Sequence, residues 1–295
     1  MTVSPAPLPA SAFLGLGALG HPMAARLLAA GVPLTVHNRS REREEPLAAA
    51  GAQRAASPRE AALATEVLCL CLRDDAAVEA VLFGEEGAAA GLAPAGLVVD
   101  FSTIAPATSE ALAARLAQQG VDYVDAPVTG GTEGARAGTL SVLVGGSPEA
   151  VVRARPLLEV VGSRISHFGG VGAGQRAKAV NQVLVAGSYA AVAEAMALGR
   201  RLGLPMEAVC EALAEGAAGS WALRHRAGNM LRGVYPLGFK LELHRKDLRI
   251  ALAEAAAAGL HLPVSEQVAA LEEALIAVGH GQEDVSCLAR WFEGQ

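Results

Sequence analysis

Lys178 is the side chain in this sequence best suited to moving a proton. Three of the 24 basic residues are lysines (Lys178, Lys240 and Lys246) and the other 21 are arginines. Arginine stays protonated at any working pH, whereas a buried ammonium can lose its proton. A lysine kept in so arginine-rich a chain points to a titrating group or a compact donor. Lys178 lies in Gly174-Gln175-Arg176-Ala177-Lys178-Ala179-Val180-Asn181-Gln182. Asn181 and Gln182 follow it by three and four residues, so on a helix they share its face. An amide there can orient an oxygen without competing for its proton, while the amine donates as negative charge builds on that oxygen. Lys246, in His244-Arg245-Lys246-Asp247-Leu248, is the second lysine in polar company; Lys240 reads equally well as a surface charge.

A second set of residues could hold a pyrophosphate. Gly15-Leu16-Gly17-Ala18-Leu19-Gly20 follows an apolar strand and opens a helix. In that pattern the first glycine makes the tight turn and the second lets the backbone approach phosphate. The third lets helix and strand pack closely, and the helix start supplies amides and a positive dipole. The next strand ends in Asn38-Arg39-Ser40, where an NAD enzyme would usually offer Asp or Glu to a ribose hydroxyl. A carboxylate would repel a 2′-phosphate, whereas the planar fork of Arg39 can grip one. The expected cofactor is therefore NADP, with NAD second.

The elements that must position these groups follow from hydrophobic pattern. Apolar runs predict strands at Ala12–Leu16, Leu34–His37, Val67–Leu72, Leu97–Asp100, Val121–Asp125, Leu140–Val144 and Ile165–Phe168. Helical patterns fall between many of them, as at Met23–Ala30, Ala107–Gln119 and Pro148–Val160. Ser57-Pro58-Arg59-Glu60 reads as a capping box with proline at the first helical position. Alternation of continuous apolar strands with helices argues for an α/β fold, a Rossmann-type doubly wound parallel sheet covered on both faces. After a glycine-rich break at Gly169–Gly174 the strands stop. A long helix is expected from about Gln175 to Leu202, followed by helices at Met206–Ala214, Trp221–Leu231, Leu241–Ala258, Pro263–Val278 and Val285–Phe292. The predicted organisation is a nucleotide-binding domain at 1–171 and an all-helical domain at 172–295.

Bulk properties narrow the function. An apolar content of 52%, with 4% aromatic residues, supports a large core packed with small side chains. A net charge of −6 argues against nucleic acid, which needs clustered Lys and Arg. Cys69 and Cys71 alternate with leucines as core residues, and with Cys210 and Cys287 show no zinc spacing. The seven histidines form no metal motif, so no metal is expected. The start, Met1 to Ala10, lacks the basic region of a signal peptide, and a reducing cytoplasm is expected. The apolar stretch from Ala177 to Leu204 is broken by Asn181, Gln182, Ser188, Glu194, Arg200 and Arg201, which argues against a membrane span.

Taken in order, the motifs resemble the β-hydroxyacid dehydrogenase family, which includes 3-hydroxyisobutyrate dehydrogenases, tartronate semialdehyde reductases and glyoxylate/succinic semialdehyde reductases. The resemblance rests on Gly15 to Ala24, Asp100-Phe101-Ser102-Thr103-Ile104-Ala105-Pro106, Asp125-Ala126-Pro127-Val128-Thr129-Gly130-Gly131, Gly134-Ala135, Gly138-Thr139-Leu140, Lys178 to Gln182, and Lys246-Asp247-Leu248. It implies a cleft between the two domains for the cofactor and a short hydroxyacid or semialdehyde. It implies that Leu72 and Arg73 border the adenosine side and Thr103 the nicotinamide ribose, with Lys246 also on the cofactor. Ser102, Thr129, Gly130 and Gly131 would hold the substrate carboxylate, with Gln182, Phe239 and Asp247 lining the substrate's place. Lys178 would be the acid/base, supported by Asn181. This chain departs from the family pattern with Arg73 for a frequent Pro, Thr129 for a common Ser, and Gln182 for a second Asn.

The function expected from these marks is NADP-dependent reduction of small carboxylate-bearing aldehydes, glyoxylate or succinic semialdehyde, by a homodimer or homotetramer. Oxidation of 3-hydroxyisobutyrate is the second reading. A decarboxylating phosphogluconate-type enzyme fits less well, because Asn181 stands where those relatives have His. A catalytically silent NADP-binding module that recognises a partner is the alternative from another class.

Overall fold

The computed structural model describes residues 8–63 and 65–293; the first seven positions of the Met1–Ala10 stretch lie outside the described residues. The chain divides into two compact units, Met1–Lys178 and Ala179–Gln295. That division falls inside the long helix, whereas sequence puts the boundary before it, at 171/172.

The first unit is built on β1 (Ser11–Leu14), β2 (Leu34–His37), β3 (Gln53–Arg54), β4 (Val67–Leu70), β5 (Leu97–Asp100) and β6 (Asp122–Asp125). These six form one sheet in the order β3-β2-β1-β4-β5-β6, and every pair is parallel. This is the Rossmann strand order, with its switch point between β1 and β4. Successive residues on a strand face opposite sides, and here both sides are covered. Phe13, Cys69 and Val99 belong to one apolar cluster. Ala12, Leu14, Leu68, Leu70 and Val98 belong to another on the opposite face. Each fully buried Leu or Phe in such a layer contributes about 1.5–3 kcal/mol relative to exposure.

Helices α1 (Gly20–Ala29), α2 (Glu45–Ala49), α3 (Pro58–Ala62), α4 (Asp75–Phe83) and α5 (Pro106–Ala117) connect these strands. The capping box at Ser57 forms in modified shape. Ser57 Oγ accepts from the Glu60 amide at 3.2 Å, but the Glu60 carboxylate reaches one residue further back, to the Ala56 amide at 2.6 Å. Sequence reading missed α4, whose start is capped by Asp74 accepting from the Ala77 amide.

Past β6 the sheet does not simply continue. β7 (Val128–Thr129), β8 (Leu140–Val144) and β9 (Gly162–His167) form a separate three-stranded sheet, with β7 antiparallel to β8 and β9 parallel to it. Between them run α6 (Gly131–Ala137) and α7 (Pro148–Val161). Neither β7 nor α6 was expected from sequence: two residues are too few to show alternation, and α6 begins on Gly131 and contains Gly134.

The long helix is α8 (Ala173–Arg201). By length and composition it could cross a membrane. Its Gln175, Lys178 and Gln182 are buried with protein partners, whereas Val180, Leu184 and Leu198 on the same helix stand exposed. In the second unit α8 is followed by α9 (Met206–Leu213), α10 (Trp221–Arg232), α11 (Leu241–Ala257) and α12 (Pro263–Ala277). Tyr189, Met196, Met230, Leu248, Val268 and Leu275 are among its core residues. The last predicted helix, Val285–Phe292, winds as a 3-10 helix started by Asp284, whose carboxylate accepts from the Ser286 amide.

Candidate active site

The glycine loop leaves β1 at the switch point, and its three glycines do three different jobs. Gly15 has φ +97°, and a Cβ there would meet the Cys71 carbonyl oxygen at 2.3 Å. A Cβ on Gly20 would lie 1.9 Å from the Gly15 carbonyl oxygen. At Gly17 a Cβ would meet nothing within 4 Å. Gly15 and Gly20 are thus required by the protein's own packing. Gly17 leaves an open cradle beside the backbone, which fits a dinucleotide pyrophosphate arriving from outside. A surface hollow of about 460 Å³ lies there, lined by Gly17, Ala18, His21, Pro22, Arg26 and Arg136 among others. Leu16 is buried, Leu19 half-buried and Ala18 exposed.

Asn38, expected to touch the cofactor, has both ends of its amide engaged. Its Oδ1 accepts from the Leu16 amide at 2.9 Å and its Nδ2 donates to the Ser40 carbonyl at 2.8 Å. It staples the glycine loop to the end of β2. Glu44 is fully buried; it accepts from the Asn38 amide at 2.8 Å and pairs with Arg54 at 2.7 Å and Arg41 at 3.1 Å. Its carboxylate is therefore committed to holding this corner. Arg39 is exposed and Ser40 half-buried. Arg43, which sequence reading did not single out, brings its guanidinium to 3.4 Å from the Leu16 carbonyl.

Across the switch point, Leu72 follows β4 and donates its amide to Ser102 Oγ at 2.8 Å. Arg73 is exposed and sits 3.8 Å from Asp74. Ser102, predicted to hold substrate, is 2% exposed. Its amide donates to Asp100 Oδ1 at 2.8 Å. Tyr123 donates to the other Asp100 oxygen at 2.8 Å. Thr103 is half-buried next to it.

Lys178 is 6% exposed, and its Nζ donates to the Val128 carbonyl at 2.9 Å. That carbonyl immediately precedes Thr129-Gly130-Gly131. Gly130 has φ +131° and Gly131 φ +64°, left-handed backbone that favours glycine at both positions. The predicted amine and the predicted carboxylate cradle are therefore neighbours. Asp125, at the end of β6, fixes the start of α8 by accepting from the Gly172 amide at 2.8 Å and the Gln175 amide at 2.9 Å.

In the second unit, Asn181 Nδ2 donates to Gln182 Oε1 at 2.6 Å and Gln182 Nε2 donates to Asp247 Oδ2 at 2.8 Å. Lys246 Nζ lies 2.9 Å from the other Asp247 oxygen. Gln182, expected to face substrate, uses both ends of its amide as a brace between Asn181 and Asp247. Phe239 is half-buried, with its amide held by Asp284 Oδ2 at 2.9 Å and its ring edge-on to His244. His244 pairs with buried Glu272. Among the described residues no group of three or more His, Cys, Asp or Glu could hold a metal ion. Burial pushes the Cys69 and Cys71 thiols up to about 12, with the charge of Asp100 adding to the effect at half-buried Cys71, so neither is primed as a thiolate.

Known proteins resemble this chain over nearly its whole length. Residues 10–170 match the profile of the NAD binding domain of 6-phosphogluconate dehydrogenase. Residues 172–292 match that of the NAD-binding domain of NADP-dependent 3-hydroxyisobutyrate dehydrogenase. The NAD-dependent L-serine dehydrogenase of Pseudomonas aeruginosa is 38% identical, with 96% of this chain and 97% of that protein covered. The chain belongs to the β-hydroxyacid dehydrogenase family. The 3-hydroxyisobutyrate dehydrogenase of the same organism is 41% identical over 86% of this chain and 87% of its own. A solved structure described as Psf3 in complex with NADP+ and 2-OPP is 32% identical, with a TM-score of 0.89 and coverage of 96% and 100%. The protein is accordingly an NAD(P)-dependent hydroxyacid dehydrogenase or reductase, and the reading as a catalytically silent module is set aside.

For this dehydrogenase, Asp100 offers a test of how the Ser102 loop is held. Burial raises its carboxyl from 3.8 to about 6; the charge of Asp125 adds to this, while the hydrogen bonds from Ser102 and Tyr123 oppose it. Between those two values the folded chain binds a proton that the unfolded chain has released. The contribution of Asp100 to stability is then lowest above pH 6 and rises as pH falls toward 4. Asp100→Asn removes the titration. Urea unfolding at both ends of that window should find wild type gaining about 3 kcal/mol on the variant at the acid end. A difference that stays constant would show that the carboxyl is not held in this buried state.

Proposed function

We propose that the protein is an NADP-preferring reductase of short carboxylate-bearing aldehydes, running in reverse as a hydroxyacid dehydrogenase, with Lys178 as the acid/base. The observation that carries this reading is the near-buried Lys178 amine beside the Val128 carbonyl, directly ahead of the Thr129-Gly130-Gly131 cradle. A nicotinamide dinucleotide supplies or accepts the hydride in such chemistry. Lys178 gives a proton to the carbonyl oxygen during reduction and takes one from the hydroxyl during oxidation. Asn181, three residues on along α8, orients that oxygen. The Thr129 hydroxyl, the Gly130 and Gly131 amides and Ser102 receive the carboxylate. Gln182 and Asp247 keep Asn181 in place, and Phe239 is assigned to the substrate on the family resemblance.

The cofactor preference rests on the end of β2. The buried carboxylate there, Glu44, is committed to Arg41, Arg54 and the Asn38 amide, while Arg39 is exposed. We assign Arg39 to a 2′-phosphate, and we assign Arg43, whose guanidinium reaches the Leu16 carbonyl of the glycine loop, and Lys246 to the cofactor as well. Arg39→Asp should lower kcat/KM for NADPH relative to NADH by about tenfold or more, the worth of one charge-assisted contact. An unchanged ratio would remove Arg39 from the cofactor site.

The substrate is tested by following NADPH oxidation with glyoxylate, succinic semialdehyde and tartronate semialdehyde, and NADP+ reduction with 3-hydroxyisobutyrate and L-serine. Turnover with the first two supports the leading reading. Preferred oxidation of 3-hydroxyisobutyrate supports the second, which the 41% identical relative of that name favours. No turnover with any compound, in protein that binds NADPH, would overturn both. We place the enzyme in a reducing cytoplasm, consistent with four free cysteines. A homodimer or homotetramer is part of the same proposal, supported by Val180, Leu184 and Leu198 standing exposed along α8 and Leu202 exposed just past its end.

A further inference from the structure

We propose that Gln175 is a positioning residue that holds the Ser102–Ile104 loop and Lys178 in a single frame. The inference rests on the reading of Ser102, Thr103 and Lys178 given above. Gln175 is 1% exposed. Its Nε2 donates to the Ser102 carbonyl at 2.8 Å, and its Oε1 accepts from the Ile104 amide at 3.3 Å. The two ends of one side chain therefore bracket Thr103. The Gln175 amide itself donates to Asp125 Oδ2. Three residues further along α8, about 4.5 Å of helical rise, comes Lys178. Ser102 is also held at its amide by Asp100 and at its hydroxyl by the Leu72 amide. The loop that receives the nicotinamide end of the cofactor is thus referenced to the helix that carries the proton donor.

Stability alone would be served by any partner that satisfied the Ser102 carbonyl and the Ile104 amide. The distinctive feature is that the partner comes from the Lys178 helix. Hydride must reach the carbonyl carbon and a proton the oxygen bonded to it, so their two sources have to be held in register. Asn at 175 would be too short to span both groups. Met has a similar length and no hydrogen bonds. Glu keeps the acceptor for Ile104 but loses the donor for Ser102 unless it is protonated.

The test uses Gln175→Met and Gln175→Glu in the full-length enzyme. Far-UV circular dichroism establishes that each variant is folded. In Gln175→Met, kcat should fall by about 10²-fold, the cost of an ångström-scale misplacement, with KM moving much less. The deuterium isotope effect on kcat, with hydroxyacid labelled at the carbinol carbon, should rise as hydride transfer becomes limiting. In Gln175→Glu, the ratio of kcat to wild type should climb as pH falls from about 8 to about 5, because the protonated acid regains a donor for Ser102. Burial at this 1% exposed position disfavours the charged form and so raises the new acid's titration, as burial does for Asp100 and Asp125 beside it, while the Lys178 amine one turn on acts in the opposite direction. The Gln175→Met ratio should stay flat over the same range. A folded Gln175→Met with kcat close to wild type, or a Gln175→Glu ratio insensitive to pH, would overturn the proposal. If Gln175→Met does not fold, Gln175→Glu decides alone. Retained activity in Lys178→Met would instead overturn the underlying reading, so the two failures are distinguishable.

Discussion

Replacing Lys178 with Met is expected to lower kcat by about 10²–10⁴-fold, the usual worth of a general acid or base, while cofactor binding persists. Met matches the lysine stem in volume, so the nearly closed site, 6% exposed in wild type, loses its amine without gaining a large cavity. What disappears is the donor to the developing alkoxide and the hydrogen bond to the Val128 carbonyl. Lys178→Arg should not restore activity. Its guanidinium keeps the positive charge but does not give up a proton in the working range, and its planar fork does not fit a single-carbonyl site. Charge alone would make Arg a partial substitute, whereas proton transfer would not. Steady-state turnover combined with NADPH fluorescence titration separates the outcomes. Loss of turnover with binding retained assigns Lys178 to chemistry. Turnover near wild type in Lys178→Met would move the proton donor elsewhere.

Residues adjacent in sequence, or one helical turn apart, were legible before the fold was known. The glycine loop, the Lys178-Asn181-Gln182 face and the Thr129-Gly130-Gly131 turn all belong to this group. The parallel sheet was legible for a similar reason: a strand buried on both faces reads as a continuous apolar run, as β4 does throughout and β5 does up to its terminal Asp100. Contacts between distant residues were not legible. Gln175 meets Ser102 and Ile104 from more than 70 residues away, and nothing local marks it except its place three residues ahead of Lys178. Glu44 stands among Arg41, Glu42, Arg43 and Glu45 with nothing local to mark it, yet it is fully buried. Asp100 and Asp125 did carry a local signal, since each ends an apolar strand with a carboxylate. Such a group must find donors once the strand is buried, and both do, in the amides and hydroxyl around Ser102 and the start of α8. Asn38 shows the converse. Its position in sequence suggested a ligand contact, but its amide is spent on the loop that would make that contact.

The second large effect concerns the glycine loop, where two neighbouring substitutions should fail in opposite ways. Gly20→Ala places a Cβ 1.9 Å from the Gly15 carbonyl oxygen, a backbone atom that cannot swing aside. Overpacking of this kind costs about 1–3 kcal/mol, so the melting temperature of the cofactor-free protein should fall by about 5 °C. Gly17→Val adds a larger side chain where a Cβ meets nothing within 4 Å. The cofactor-free protein should then melt within about 2 °C of wild type, as surface substitutions generally do. Its affinity for NADPH should nevertheless weaken by about tenfold to a hundredfold, because the branched side chain occupies the space through which backbone amides reach the pyrophosphate. Differential scanning fluorimetry without cofactor, paired with fluorescence titration, measures both quantities on the same preparations. If Gly17→Val bound NADPH like wild type, the open cradle at Gly17 would not be where the phosphates lie. If it melted as early as Gly20→Ala, Gly17 would be needed for packing after all. Stability lost at Gly20 and binding lost at Gly17, three residues apart on one turn, would separate the part of the motif that builds the fold from the part that serves the ligand.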